Sequence, residues 1–195
     1  PERDNLTATQ PEVAPRRHEA VAILFCDIVG FTAYCDQHPP ETVVSHLQAF
    51  VEAVETVVDD AGMEKIKTIG DAFMATSGLL RPVDTPLLTA VGCGLQMART
   101  TSEIEPYWDV RVGVHYGPIV AGIVGKRQYQ FDVWGDTVNI AARLVQHAPP
   151  GSVAMTHAAW QEIQDDCQAR SIGVTEIKGK GEIELFECYA LRNSE

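Results

Sequence analysis

The chain has 195 residues and a formal net charge of -12, which supports one domain with a real hydrophobic core. The acidic balance excludes a long nucleic acid as partner, because that needs clustered Lys and Arg, but it leaves room for a small anion held by a metal and a few placed cations. Five cysteines without C-x-x-C spacing exclude a zinc site or a disulfide framework and fit a reducing compartment.

Residues 1–18 are rich in Pro, Glu, Arg and Thr without periodicity, and read as a flexible linker before a domain over residues 19–192. Ala20 to Asp27 reads as a buried strand. Glu41 to Asp60 carries Val43, Val44, Leu47, Phe50, Val51, Val54, Val57 and Val58 at helical spacing. Strands follow at Met63 to Thr68 and Asp71 to Thr76, then a helix at Pro86 to Thr100. Asp109 to His115 and Ile119 to Val124 read as a strand pair turning at Gly117-Pro118. Gln128 to Val133 is a short strand or arm, and Thr137 to His147 a helix stopped by Pro149-Pro150-Gly151. The remainder reads as strand Ser152 to Met155, helix Ala158 to Cys167, and strands Ile172 to Ile177 and Glu184 to Ala190. Glu182, Glu184 and Glu187 read as one solvated face.

The early order is strand, helix, strand, strand, helix, strand. That predicts an α+β fold: a ferredoxin-like βαββαβ core with a C-terminal α/β extension. In this topology the first and third strands are antiparallel neighbours in mid-sheet. The end of the first, at Asp27, then lies beside the start of the third, at Asp71. A carboxylate at the edge of an apolar strand is costly unless a cation compensates it. Singly, each Asp is as readily a turn or cap residue, and Gly70-Asp71 is a good turn dipeptide. As a pair they suggest a site for Mg²⁺ or Mn²⁺ handling nucleotide phosphates.

A second constellation lies in Gln130-Phe131-Asp132-Val133-Trp134-Gly135-Asp136-Thr137-Val138-Asn139-Ile140-Ala141-Ala142-Arg143. Gly135 permits a tight turn, and Asp136 or Thr137 can cap the following helix. Asn139 and Arg143, four apart, share one helix face. The plain alternative is a solvated polar stripe. The functional one is a donor pair aimed at a sugar and a phosphate, whose oxygens suit a guanidinium fork. His115 and Cys26 read as structural.

With these motifs, and with Lys65 to Met74, Gly117 to Gly125 and Ile177-Lys178-Gly179-Lys180-Gly181, the chain resembles the catalytic domain of class III nucleotidyl cyclases from about Ala20 to Ala190. The resemblance implies two metal ions per site, Mg²⁺ or Mn²⁺, held by Asp27 and Asp71 with Ile28. It implies Lys67 and Asp132 as the base-selecting pair, Asn139 on the ribose, and Arg143 on the α-phosphate. It places a turn of Gly30, Phe31 and Thr32 under the triphosphate, and Lys178 or Lys180 on the terminal phosphates. The implied activity is conversion of ATP to 3′,5′-cyclic AMP and pyrophosphate by a homodimer with shared sites.

Guanylate cyclase activity and a non-catalytic nucleotide-binding dimerisation module are the alternatives. A ferredoxin-like RNA-binding module conflicts with the charge. No apolar run is long enough to span a bilayer and no signal peptide opens the chain, so a cytoplasmic location is expected. The chain opens on Pro1 rather than Met, which leaves room for a longer parent protein with membrane or sensor parts.

Overall fold

The computed structural model describes residues 15–125 and 130–192; residues 1–14 of the expected linker, and Gln128, lie outside them. In chain order the elements are β1 (Arg16–Ile28), α1 (Phe31–Gln37), α2 (Pro40–Asp60), β2 (Glu64–Ile69), β3 (Ala72–Ser77) and α3 (Pro86–Glu103). Then follow β4 (Val110–Val124), β5 (Gln130–Trp134), α4 (Asp136–Leu144), β6 (Val153–Thr156), α5 (His157–Ile163), β7 (Cys167–Ile177) and β8 (Gly181–Leu191). One eight-stranded sheet runs β2-β3-β1-β4-β6-β8-β7, with β5 paired to β4 off this path. The first four strands have the ferredoxin-like arrangement, and β1 pairs antiparallel with both β3 and β4.

Alternation along β1 splits the core between two faces. Ala22, Leu24, Cys26 and Ile28 join Phe73 and Ala75 under α2 and α3. Val21, Ile23 and Phe25 join Met74 under α4, with Ala141 and Val145. Helix α2 buries Phe50, Val54, Val57 and Val58, the i, i+4, i+7, i+8 stripe. Two glycines let helices approach β4 from opposite sides. A Cβ on Gly94 of α3 would lie 2.7 Å from Val112 Cγ1, and one on Gly113 of β4 would lie 2.5 Å from the Val145 backbone nitrogen.

Several boundaries differ from the expected ones. β1 begins at Arg16, inside the stretch read as linker, because its outer end pairs with β4 from Ala121 to Ile119. The predicted hairpin at Gly117-Pro118 does not exist: β4 is continuous, running the length of β1. Proline has no N–H for the ladder, and the sheet accommodates it with a bulge, in which Glu19 and Ala20 face Pro118 alone. Asp71 sits in the turn between β2 and β3, led by Gly70 at φ 63°, a position where two-residue hairpins favour glycine. The helix expected to reach Cys167 stops at Ile163, and Cys167 starts β7. Glu187 is buried at 4% exposure, not on a solvated face, and its Oε1 accepts from Arg170. Helix α1 has no counterpart in the expected elements. It is pinned by the Tyr34 hydroxyl bonded to His46 Nδ1 at 2.5 Å and by Tyr34 and Phe31 against Trp108.

Gly113→Ala tests the close approach of α4. The new methyl would also meet the Ala141 carbonyl oxygen at 2.7 Å, and backbone atoms cannot rotate aside. A loss of about 1–3 kcal/mol is expected in urea unfolding. An unchanged midpoint would mean that α4 floats freely on the sheet.

Candidate active site

The two carboxylates meet. Asp27 pairs across the ladder with Ala72, the neighbour of Asp71, and with Arg111 on its other side. Burial pushes the Asp27 carboxyl above its usual range, Asp71 adds to this through charge and a side-chain hydrogen bond, and Arg111 opposes it. Two carboxylates without a counter-cation repel one another, which is the arrangement a divalent ion relieves. Among the described residues no cluster of three or more His, Cys, Asp or Glu is found. Two carboxylates, with backbone carbonyls such as Ile28 nearby, suit a hard cation that keeps waters or takes phosphate oxygens. Directly after Ile28, Val29 N–H donates to the Asp109 carbonyl at 2.9 Å and Gly30 turns the chain at φ 73° into α1. Phe31 and Thr32 open that helix.

Lys67 and Asp132 form an ion pair at 2.5 Å, linking β2 to β5. Alternation alone would put Lys65 and Lys67 on one face. A bulge between them changes this: Lys65 lies opposite Ala75, and Lys67 lies opposite Met74. Lys65 therefore turns to the α2 side and pairs with Glu55, while Lys67 takes the face of Phe25 and Asp27. Asp132 is 9% exposed; its Oδ1 accepts from Val133 N–H at 2.9 Å, which fixes the carboxylate.

Helix α4 carries the third group. Its N-cap is Gly135 without a side-chain cap; neither Asp136 nor Thr137 fills that role, and Thr137 instead donates to the Pro118 carbonyl at 2.7 Å, tying the helix start to β4. Asp136, Asn139 and Arg143 follow at i, i+3 and i+7, one stripe of the helix. Asn139 is exposed. Arg143 Nη1 donates to the Lys178 carbonyl, and Lys180 forms an ion pair with Asp136. Lys178 itself is exposed. His115 lies beside Asp136 and Lys180, and burial pushes its imidazole down to about 4, so it is neutral near pH 7. Burial pushes the Cys26 thiol well up, as befits a core residue.

The structure thus assembles three clusters: Asp27 with Asp71, Lys67 with Asp132, and Asn139 and Arg143 with the Lys178–Lys180 hairpin. Among the described residues no hydrogen bond or ion pair joins the first cluster to the other two. Arg111 escaped the sequence reading. It stands opposite Asp27, and its Nε is buried without a partner. Its signal was a lone Arg inside the apolar run from Val110 to Val114.

The sequence profile of the adenylate and guanylate cyclase catalytic domain matches residues 13–192. An adenylate cyclase of Mycobacterium bovis is 32% identical over 91% of this chain, and a rat guanylate cyclase soluble subunit beta-2 is 31% identical over 90%. The chain spans 41% and 26% of those two proteins. The catalytic core of a rhodopsin-guanylyl cyclase with converted specificity, solved with ATPαS, superposes at a TM-score of 0.87 with 25% identity, covering 91% of this chain and 99% of that one.

The raised Asp27 pKa has a signed consequence. The folded chain holds this proton more tightly than the unfolded chain, so the contribution is fully present below the unfolded pKa and is lost as pH rises through the folded one. Asn at this position escapes that loss. Thermal melts in metal-free buffer are expected to place Asp27→Asn above wild type at pH 7, with the gap closing near pH ~3.5. Equal melting at pH 7 would remove the case for a strained carboxylate pair.

Proposed function

The chain belongs to the adenylate and guanylate cyclase catalytic-domain family, and within it we propose that it is an adenylate cyclase converting ATP to 3′,5′-cyclic AMP and pyrophosphate. The observation that carries the choice of base is the Lys67–Asp132 pair. Adenine presents an acceptor at N1 and a donor at its amino group, which an ammonium and a carboxylate complement. Guanine presents N1–H and O6, and would set donor against ammonium and oxygen against carboxylate. Mismatches of this kind discriminate by several kcal/mol because they leave polar groups unpaired. Guanylate cyclases among the relatives make GTP the alternative substrate to test.

Asp27, Asp71 and the Ile28 carbonyl would hold two Mg²⁺ or Mn²⁺ ions. When bound, these supply Lewis-acid activation of the ribose 3′-hydroxyl and neutralise polyphosphate charge. The chain's own groups do the rest. Lys67 and Asp132 seat the base, and Asn139 orients the ribose for in-line attack on the α-phosphorus. The Gly30–Phe31–Thr32 turn lies under the triphosphate. Arg143 meets the charge that gathers on the α-phosphoryl oxygens and the leaving pyrophosphate. Lys180 or Lys178 takes the terminal phosphates. Arg143 must first leave the Lys178 carbonyl that it holds in the free chain.

The active site is shared between two copies of the chain, the carboxylates of one facing the base, ribose and phosphate groups of the other. The separation of the clusters within one chain supports this. So does the apolar surface of β4 and β5, where Val120, Val124 and Trp134 are 39%, 50% and 39% exposed beside Asp132. No helix among the described residues is long and apolar enough to cross a membrane.

Purified chain given ATP and GTP in parallel with Mg²⁺ or Mn²⁺ is expected to turn over ATP roughly 100-fold or more faster. Cyclic GMP as the main product would overturn the base assignment. Arg143→Ala is expected to lower kcat about 100- to 1000-fold. Mixed equally with Asp27→Ala, itself inactive, it should recover roughly a quarter of wild-type activity, since half of random dimers carry one intact site. No recovery in demonstrated heterodimers would sink the shared site.

A further inference from the structure

Helix α1 has seven residues and none of them is fully buried, so it has little core of its own to fix its place. Yet it continues the segment on which the proposed site depends. Ile28 ends β1, Gly30 turns the chain, and Phe31 and Thr32 open the helix. Tyr34, within the first turn, locates it. The Tyr34 hydroxyl meets His46 Nδ1 at 2.5 Å, its ring stacks on His38 at 3.8 Å, and it stands edge-on to Trp108 at 5.1 Å. His38 Nδ1 donates to the Tyr34 carbonyl at 2.9 Å, closing the end of the helix.

The partners of Tyr34 are fixed without α1. His46 lies on α2, one turn before the buried Phe50, and both rings stand edge-on to Trp108, at 6.4 and 6.1 Å. Trp108 is itself buried, and its neighbour Asp109 accepts from Val29 N–H at 2.9 Å. The segment from Val29 to Tyr34 is thus held at one end by the Asp109 backbone and at the other by a phenol on an imidazole. Among the described residues, Tyr34 to His46 is the one side-chain hydrogen bond that ties α1 to another element. It does not depend on the tautomer, because Nδ1 accepts from the phenol in one and donates to it in the other.

We propose that His46 is a positioning residue: through the Tyr34 hydroxyl it sets α1, and with it the Ile28 carbonyl and the Gly30–Phe31–Thr32 turn beside Asp27. This rests on the cyclase reading above, which brings metal ions and a triphosphate to that segment. With the bond made, the turn is ordered before substrate arrives. Without it, part of the binding energy goes into ordering α1. The turn meets the triphosphate alike in the ground state and the transition state, so the loss falls on KM rather than on kcat.

Kinetics of cyclic nucleotide formation, and calorimetry of tripolyphosphate with Mg²⁺, are measured on the full chain. Tyr34→Phe and His46→Leu are each expected to raise KM about three- to tenfold, with kcat within about twofold of wild type, and to weaken tripolyphosphate by the same factor. The double variant should match either single one, because both remove the same bond. His46→Gln, whose amide can still bond the phenol, should stay near wild type. Tyr34→Phe keeps its ring between His38 and Trp108, so it carries the test should His46→Leu fold poorly. A merely structural His46 predicts a lower Tm and lower kcat at unchanged KM, and that result overturns the proposal. So do additive losses in the double variant, or a His46→Gln as weak as His46→Leu. If no cyclic nucleotide forms while tripolyphosphate binding follows this pattern, the cyclase reading fails and the clasp on the turn stands. If cyclic nucleotide forms and Tyr34→Phe keeps the wild-type KM, the reading stands and the clasp fails. A wild-type chain that neither forms cyclic nucleotide nor binds tripolyphosphate removes both.

Discussion

The β1 ladder is the constraint from which the site follows. β1 is hydrogen-bonded on both sides, to β3 and to β4, and its apolar residues fill both faces of the sheet. A one-residue slip would turn Val21, Ile23 and Phe25 out of one core layer and Ala22, Leu24 and Cys26 out of the other. The register is therefore fixed, and with it the places of Ala72 and Arg111 at either side of Asp27. The carboxylate sits where the buried strand ends. Its desolvation is unfavourable for the free chain, and Asp71 makes it more so. The ladder holds Asp27 beside the β2–β3 turn that carries Asp71, an arrangement that would favour a divalent cation at the proposed site.

The opposite pole of the site depends on backbone approach rather than on charge. Gly113 lets the backbone of α4 lie directly on β4, and Thr137 ties the start of the helix to Pro118. A helix placed that closely offers a side-chain stripe with little freedom to shift. Asn139 and Arg143 project from it, and the β7–β8 turn closes over it through Lys178 and Lys180. Three cations of the proposed site have an oxygen partner in the free chain: Lys67 has Asp132, Lys180 has Asp136, and Arg143 has a carbonyl. A chain with a net charge of -12 thus offers few cations at the proposed site, each kept in place by a weak partner that a phosphate or a base edge could replace.

The family relationship accounts for the fold and for cyclase chemistry, while the relatives include both adenylate and guanylate cyclases. Under the proposed adenylate cyclase activity, base choice would rest on the Lys67–Asp132 pair, and the bulge in β2 sets that pair up: it sends Lys65 to Glu55 on α2 and leaves Lys67 for Asp132. A regular strand would have carried both lysines to the same side.

Local pattern determined much by itself. The apolar period of Phe50, Val54, Val57 and Val58 specified α2, and the strand order specified the ferredoxin-like core, since hydrophobic burial and chain connectivity act through sequence spacing. The positions of Asp27, Asn139 and Arg143 within their elements were legible for the same reason, whereas Asp71, expected to open a strand, sits in the turn before it. Tertiary structure alone decided the continuous β4, because a proline read as a turn can be absorbed by a bulge in the neighbouring strand. It alone revealed Arg111 opposite Asp27, α1 clasped by His46 and Trp108, the burial of Glu187, and the pairing of Lys180 with Asp136. Each of these joins residues far apart in the chain through packing or charge, and such contacts leave no mark on the spacing of either partner.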